Sequence, residues 1–239
     1  MGVRKHRTLT SKTSNMRLRG AAVTELLVVL LALAPLTLGA LQVALVYNAK
    51  TTLNYAVFEA ARAGSVANAQ RGPMQQALAR GLIPLYGGGT DSASLLQSQV
   101  RAYADVRLPV VPNNNIGSGT RIDILSPTQQ AFNDFGVDAN GQRQLPNDNL
   151  KYRPRTVGST SGVNVQDANL LKIKVTYGYK MFVPVINRLV ARMLELTDPA
   201  NADFYRADPP RLPIVATATV RMQSPAIPDG NASAPGGTI

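Results

Sequence analysis

The chain has 239 residues, no cysteine, a single histidine (His6) and a net charge of +11. The missing thiols exclude disulfides, thiolate zinc sites and cysteine nucleophiles, and one imidazole near the N-terminus leaves nothing for a Ser-His-Asp or His-metal site. Six basic residues, Arg4, Lys5, Arg7, Lys12, Arg17 and Arg19, crowd the first twenty positions with no acid among them, so the charge belongs largely to a leader and argues weakly for a nucleic-acid surface.

From Leu26 to Ala49 runs a stretch of 24 residues without a charge. As a helix it measures about 36 Å, enough to cross a bilayer. The basic residues before it hold the N-terminus on the cytoplasmic side and place the residues after Lys50 on the far side. A cleaved secretory signal, an uncleaved anchor and a leader cut on the cytoplasmic face are the three readings. For the first, Ala32-Leu33-Ala34 offers a small-residue cleavage site, but Pro35 comes next and the chain stays apolar to Tyr47, which makes this the weakest. A plain anchor leaves Glu25 unexplained, because an ionised side chain in a membrane helix costs about 2.5 to 3.5 kcal/mol at mid-membrane. A cut between Gly20 and Ala21 would create an ammonium at Ala21, four residues and one helical turn before Glu25.

The helical pattern continues past Lys50: Val46, Leu53, Val57, Ala60 and Gly64 fall on one side. A continuous helix from about Ala21 to about Ala67 would be roughly 70 Å long, with a bend expected at Pro35 and Gly39. Ala40 with Ala44 and Ala60 with Gly64 place small residues at four-residue spacing, as helix-packing candidates.

Beyond the helix, Arg71-Gly72-Pro73 reads as a break before a short helix near Met74 to Arg80. Asp91 or Ser92 caps a second helix over 92–105, with Leu95, Val100 and Tyr103 as inward candidates. "TRIDILSP" and "LKIKVTYGYKM" alternate as strands, the latter placing Leu171, Ile173, Val175, Tyr177, Tyr179 and Met181 on one face. Lys172, Lys174 and Lys180 lie opposite, on a solvated face or a blunted edge. A helix from Val185 to Leu196 and a strand from Ile214 to Met222 complete the elements. "NNNIGSGT" and "DANGQRQLPNDN" read as surface connections. Asp138, Asn140 and Asp148 lack the regular spacing of a calcium loop; "GGGT" lacks the ending of a phosphate loop, and the Asn231-Ala232-Ser233 triplet carries no argument. No metal, cofactor or catalytic residue is expected. The fold class is α+β: a long N-terminal transmembrane helix extending into a small outer domain with short helices and an antiparallel sheet.

The stretch "RGAAVTELLVVLLALAPLTLGALQVALVYNAKTTLNYAVFEAARAGSV", Arg19 to Val66, resembles type IV pilin-like proteins, and within them the TadE-like minor pseudopilins of the tight-adherence (Flp) pilus system. Its Glu-Ala-Ala-Arg-Ala-Gly run, Glu59 to Gly64, and the later "LPIVATATVRMQS", Leu212 to Ser224, carry the narrower likeness. Leu26 stands where many members have an aromatic, and 111–168 is unusually long and polar. The resemblance implies a basic leader over 1–20, a transmembrane and extended helix over 21–70, a periplasmic domain over 71–223 and a flexible tail over 224–239. It further implies leader cleavage between Gly20 and Ala21 by a prepilin peptidase, and docking through Glu25. Other pilins or pseudopilins, the assembly platform and membrane lipid are the expected partners, with no nucleic acid. The implied role is that of a noncatalytic subunit in the bacterial inner membrane, its N-terminus cytoplasmic, with entry into the fibre left open. A type II secretion pseudopilin and an uncleaved single-pass protein with a periplasmic binding domain are the alternatives.

Overall fold

The computed structural model describes residues 15–87, 90–107, 119–139, 141–184 and 186–228, with side chains of the first helix from Val23 onward. The leader before Asn15 with His6, the glycines 88 and 89, residues 108–118, Asn140, Val185 and the Asn231-Ala232-Ser233 triplet lie outside the described residues.

Helix α1, Asn15–Val66, has 52 residues and is about 78 Å long. It begins before Ala21, because Met16, Arg17, Leu18 and Arg19 are all good helix formers. Pro35 and Gly39 leave it unbroken; just past the proline, the Thr37 hydroxyl donates to the carbonyls of Leu33 at 3.0 Å and Ala34 at 2.9 Å. At its far end Asn68 and Ala69 take left-handed conformations, φ 57° and 61°, each costing a non-glycine residue about 1–2 kcal/mol.

That turn sends α2, Arg71–Leu82, back along α1. The expected break at Arg71-Gly72-Pro73 is instead the first turn of α2, where a proline's missing N–H would have had no helical partner anyway. A 3-10 turn, Ile83–Tyr86, leads to α3, Ser92–Arg107. Asp91 caps it, its Oδ2 accepting from the Ser94 N–H at 3.2 Å. The inward face is not the expected one: Ser98, Ala102, Asp105 and Val106 are buried, Tyr103 is half-buried, and Leu95 and Val100 are exposed. Small and polar side chains form this contact, so an apolar-only reading of the face picks the wrong side.

The main sheet has the order β1-β4-β5, all antiparallel, from Arg121–Ser126, Leu170–Lys180 and Arg211–Arg221. Ile122 pairs with Val175, which pairs with Ala216. The alternation in β4 holds: Leu171, Ile173, Val175, Tyr177 and Tyr179, and Met181 just beyond, are buried. Because β4 is central, Lys172, Lys174 and Lys180 blunt no edge. Between β1 and β4 come α4, Gln129–Phe135, then β2, Val137–Ala139, and β3, Gln142–Gln144, and finally α5, Val165–Ala168. The β2-β3 pair is a hairpin inside the stretch read as loop, where the Asn-Gly pair at 140–141 is itself a hairpin signal. After β4 come α6, Ile186–Thr197, and α7, Ala202–Tyr205.

The core gathers Leu53, Val57, Leu78, Leu82, Leu171 and Ile173, all fully buried, between α1, α2 and the sheet. A smaller cluster, Met181, Ala191 and Tyr205, fastens α6 and α7 to the start of β5. Residues 224–227, expected to open a flexible tail, are fastened to the domain, and 229–239 lie outside the described residues. Ala226 is fully buried, its carbonyl accepts from the Leu145 N–H at 2.9 Å, and the Ile227 N–H donates to the Asn68 carbonyl at 3.1 Å. Residues 224–227 are therefore part of the domain.

Candidate functional site

Helix α1 divides into two lengths with opposite surroundings. Every large apolar side chain from Val23 to Leu41 is exposed, and the most apolar stretch has a mean hydropathy of 2.3, long enough to cross a membrane. Glu25 is the only charge between Arg19 and Lys50; it is exposed and makes no ion pair among the described residues. Gly20 and Ala21 lie in the same helix, so the backbone places position 21 one turn before Glu25. Ala40 and Ala44 are exposed on this length or at its end.

From Gln42 onward the helix acquires a buried stripe: Gln42, Ala49, Leu53, Ala56, Val57, Ala60, Ala61, Gly64 and Ser65. The Glu59–Gly64 run gains a physical meaning here. Ala60, Ala61 and Gly64 face inward, whereas Glu59 and Arg62 face outward and pair at 3.3 Å. A Cβ on Gly64 would lie 2.6 Å from Met74 Cε, and one on Gly81 would lie 2.6 Å from Ala56 Cβ. The close approach that small residues permit is thus used at Ala60 and Gly64 by this chain's own α2 and sheet. On the outward side, Tyr55, Glu59, Arg62, Arg80, Arg221 and Gln223 line an open cleft of about 810 Å³.

A long seam fixes α1 to β5. The Lys50 ammonium donates to the Val215 carbonyl. At the other end, the Gln223 and Ser224 N–H groups donate to the Ser65 carbonyl at 2.9 and 3.1 Å, and Ser224 Oγ accepts from the Asn68 N–H at 2.9 Å. The two stretches that carry the resemblance, far apart in sequence, therefore meet along their lengths. Below Lys50, Gln42 Oε1 accepts from the Val183 N–H at 3.1 Å, which joins the helix to the segment between β4 and α6. Sequence reasoning did not find this bond; the signal available was a lone glutamine inside an apolar run.

A buried polar group braces the domain. The Tyr86 hydroxyl donates to Asp105 Oδ2 at 2.7 Å and lies 2.9 Å from the Tyr177 hydroxyl. Arg211, nearly wholly buried, stands 3.8 Å from Asp105 Oδ1 and donates to the Gly178 carbonyl at 3.2 Å. Burial first, then the neighbouring Tyr177 and Asp105, push the Tyr86 phenol well above its ordinary range. Burial also raises Tyr177, to about 12, with the Tyr86 hydrogen bond opposing. Both therefore stay neutral donors, which suits a brace. Among the described residues no group of three or more His, Asp or Glu side chains is placed to hold a metal.

The model of a family described as TadE-like protein matches residues 20–62. No curated protein and no solved structure matches the chain. The match begins at Gly20, takes in the bare apolar length with Glu25 and most of the buried stripe beyond it, and ends inside the Glu59–Gly64 run. Over residues 20–62 the chain is therefore similar to the TadE-like family, and residues 63–239 lie outside that likeness.

Proposed function

We propose that the protein is a noncatalytic minor pilin-like subunit that supports assembly of a tight-adherence (Flp) pilus. The observation that carries this is the exposed Glu25, the one charge on the bare apolar length between Arg19 and Lys50, which matches the TadE-like family from Gly20 onward. In this reading a prepilin peptidase cuts between Gly20 and Ala21, and the new Ala21 ammonium or that of a staggered neighbour pairs with Glu25. That pairing offsets the cost of a carboxylate in the membrane. The helix stays in the inner membrane with its N-terminus cytoplasmic, and the domain stands in the periplasm.

The test is the intact mass and N-terminal sequence of membrane-extracted protein from cells with and without the peptidase. An N-terminus at Ala21 only when the peptidase is present is the expected result. Retention of the leader in both strains would sink the processing step. One observation favours the second reading, an uncleaved single-pass anchor: α1 starts at Asn15 and runs through the Gly20–Ala21 bond, so a peptidase must unwind that turn to reach it.

A further inference from the structure

We infer that α6 is an interfacial helix, and that its exposed apolar side lies in the outer face of the bilayer that α1 spans. The inference rests on the anchored reading of α1 and adds a second membrane contact to it.

Among the described residues the helix carries an uncovered apolar stripe. Leu189, Met193 and Leu196, at spacings of four and three, are 65%, 69% and 88% exposed. They form one side of the helix. On the adjoining side buried Ala191 and half-buried Val190 and Leu194 pack against Met181 and Tyr205, and Ile186 at the start of the helix is buried as well. The core thus holds α6 by one flank and leaves a second apolar flank bare, joined by exposed Phe182 just before the helix.

Four contacts along α1 say where that flank stands. Gln42 meets Val183, Lys50 meets Val215, and Ser65 meets Gln223 and Ser224. From Lys50 to Ser65 the helix advances about 22 Å, and from Val215 to Gln223 the chain advances about 26 Å. β5 and α1 therefore run side by side in the same direction. The Arg211 end of β5, paired with the Lys180 end of β4, points toward the apolar length, and the Leu170–Arg221 end points away. The connection from β4 to β5, which contains α6 and α7, closes the sheet at its membrane-proximal end. Gln42 is also where burial of α1 by the domain begins. Counted from Ala21, 21 rises of the helix bring it about 32 Å along, one hydrocarbon thickness.

The charges beside the stripe fit a lipid surface. Arg188 and Arg192 border it, are exposed, and make no ion pair among the described residues, while Arg206 pairs with Glu195 at 2.7 Å. These residues line a shallow cleft of about 280 Å³ that also includes Asp208. With as many acids as spare arginines at the cleft, the apolar stripe supplies attachment, and Arg188 and Arg192 extend to lipid phosphates. The occupant is a lipid surface, zwitterionic or anionic.

The chain has no native cysteine, so the test uses single-cysteine variants of the full chain in phosphatidylcholine vesicles. Leu189→Cys, Met193→Cys and Leu196→Cys, all at exposed positions, carry an environment-sensitive fluorophore, with Leu31→Cys in the anchor and Tyr152→Cys at the far end as references. Blue-shifted emission quenched by nitroxide-labelled acyl chains is expected at 189, 193, 196 and 31, with water-like emission at 152. The quenching should persist without anionic lipid, and Arg188→Glu with Arg192→Glu should reduce it at 193. Water-like emission at all three α6 positions with quenching kept at 31 would overturn the inference and leave the anchor standing. Loss at 31 as well would bring down the anchored reading and this inference with it. A blue shift at α6 without lipid quenching, growing with protein density in the vesicle, would identify a second protein copy as the occupant and overturn it too.

Discussion

The inner and outer lengths of α1 are one continuous helix, yet they are built for different solvents. From Val23 to Leu41 leucine and valine point outward all round, and none of the described residues covers them. From Gln42 to Ser65 the inward stripe is mostly small residues, Ala49, Ala56, Ala60, Ala61, Gly64 and Ser65, with Leu53 and Val57 as its large apolar members. Side-chain size is therefore inverted relative to burial within the protein: the bulky residues face outward where lipid would fill the space, and small ones face inward where α2 and the sheet must come close. Apolarity alone does not say whether a helix face meets protein or membrane. The size of the apolar residues separates the two.

The sharpest way to break the outer length without touching the inner one is to remove the buried cation. Arg211→Ala removes the buried guanidinium beside Asp105 and the hydrogen-bonded phenols of Tyr86 and Tyr177, and should cost about 3–5 kcal/mol. The chain has no tryptophan, so urea unfolding in detergent is followed by tyrosine signals, and the variant's midpoint should fall while membrane extraction is unchanged. Next comes a matched pair on one helix. Leu53→Ala removes a fully buried side chain and should destabilise the domain by about 2–5 kcal/mol, whereas Leu31→Ala, 79% exposed, should leave the domain's midpoint where it was. Equal effects from both would refute the division of α1 into two environments.

A smaller effect tests the far end of the seam. Ser224→Ala removes the hydroxyl that accepts from Asn68 and donates to the Ser65 carbonyl, for a loss of about 1 kcal/mol, visible as faster protease nicking after residue 223. The smallest change at neutral pH concerns the tyrosine brace. Phenols in the unfolded chain ionise near their ordinary value of about 10, whereas Tyr177 in the fold holds its proton to about 12 and Tyr86 is pushed up as well. The folded state binds more protons in that window, so stability should be flat up to about pH 10 and then fall as pH rises through it. Tyrosinate absorbance measured alongside unfolding checks this. Two phenols titrating near their ordinary value in the folded protein would contradict the burial of the brace.

Much of the architecture was legible because period and composition agreed. The clean alternation from Leu171 to Met181 identified the central strand, and an uncharged run before Lys50 identified the apolar helix. What failed did so for local reasons. Leu95 and Val100 mislead because α3 packs through Ser98, Ala102 and Asp105, whose polar atoms find partners that one sequence cannot display. Gly72-Pro73 reads as a break, although the first turn of a helix tolerates both. At the candidate site, the motif from Glu59 to Gly64 was visible as letters, but its inward and outward division depends on α2 and β5 arriving from elsewhere in the chain. The contact of Gln42 with Val183 joins residues too distant for any pattern to couple, and the role of α6 emerges only once that contact is known.

The parallel course of α1 and β5 has a mechanical consequence. A pull on the helix along its axis loads the junction with the domain in shear, so the fastenings at Gln42, Lys50 and Ser65 and the alanine stripe between them resist together. Were the domain attached through the end of α1 alone, the same force would open the contacts one after another, as a zip. Tension transmitted along the apolar length therefore reaches the sheet as a distributed load, and the domain should yield as a unit at a single high force rather than in a series of small steps.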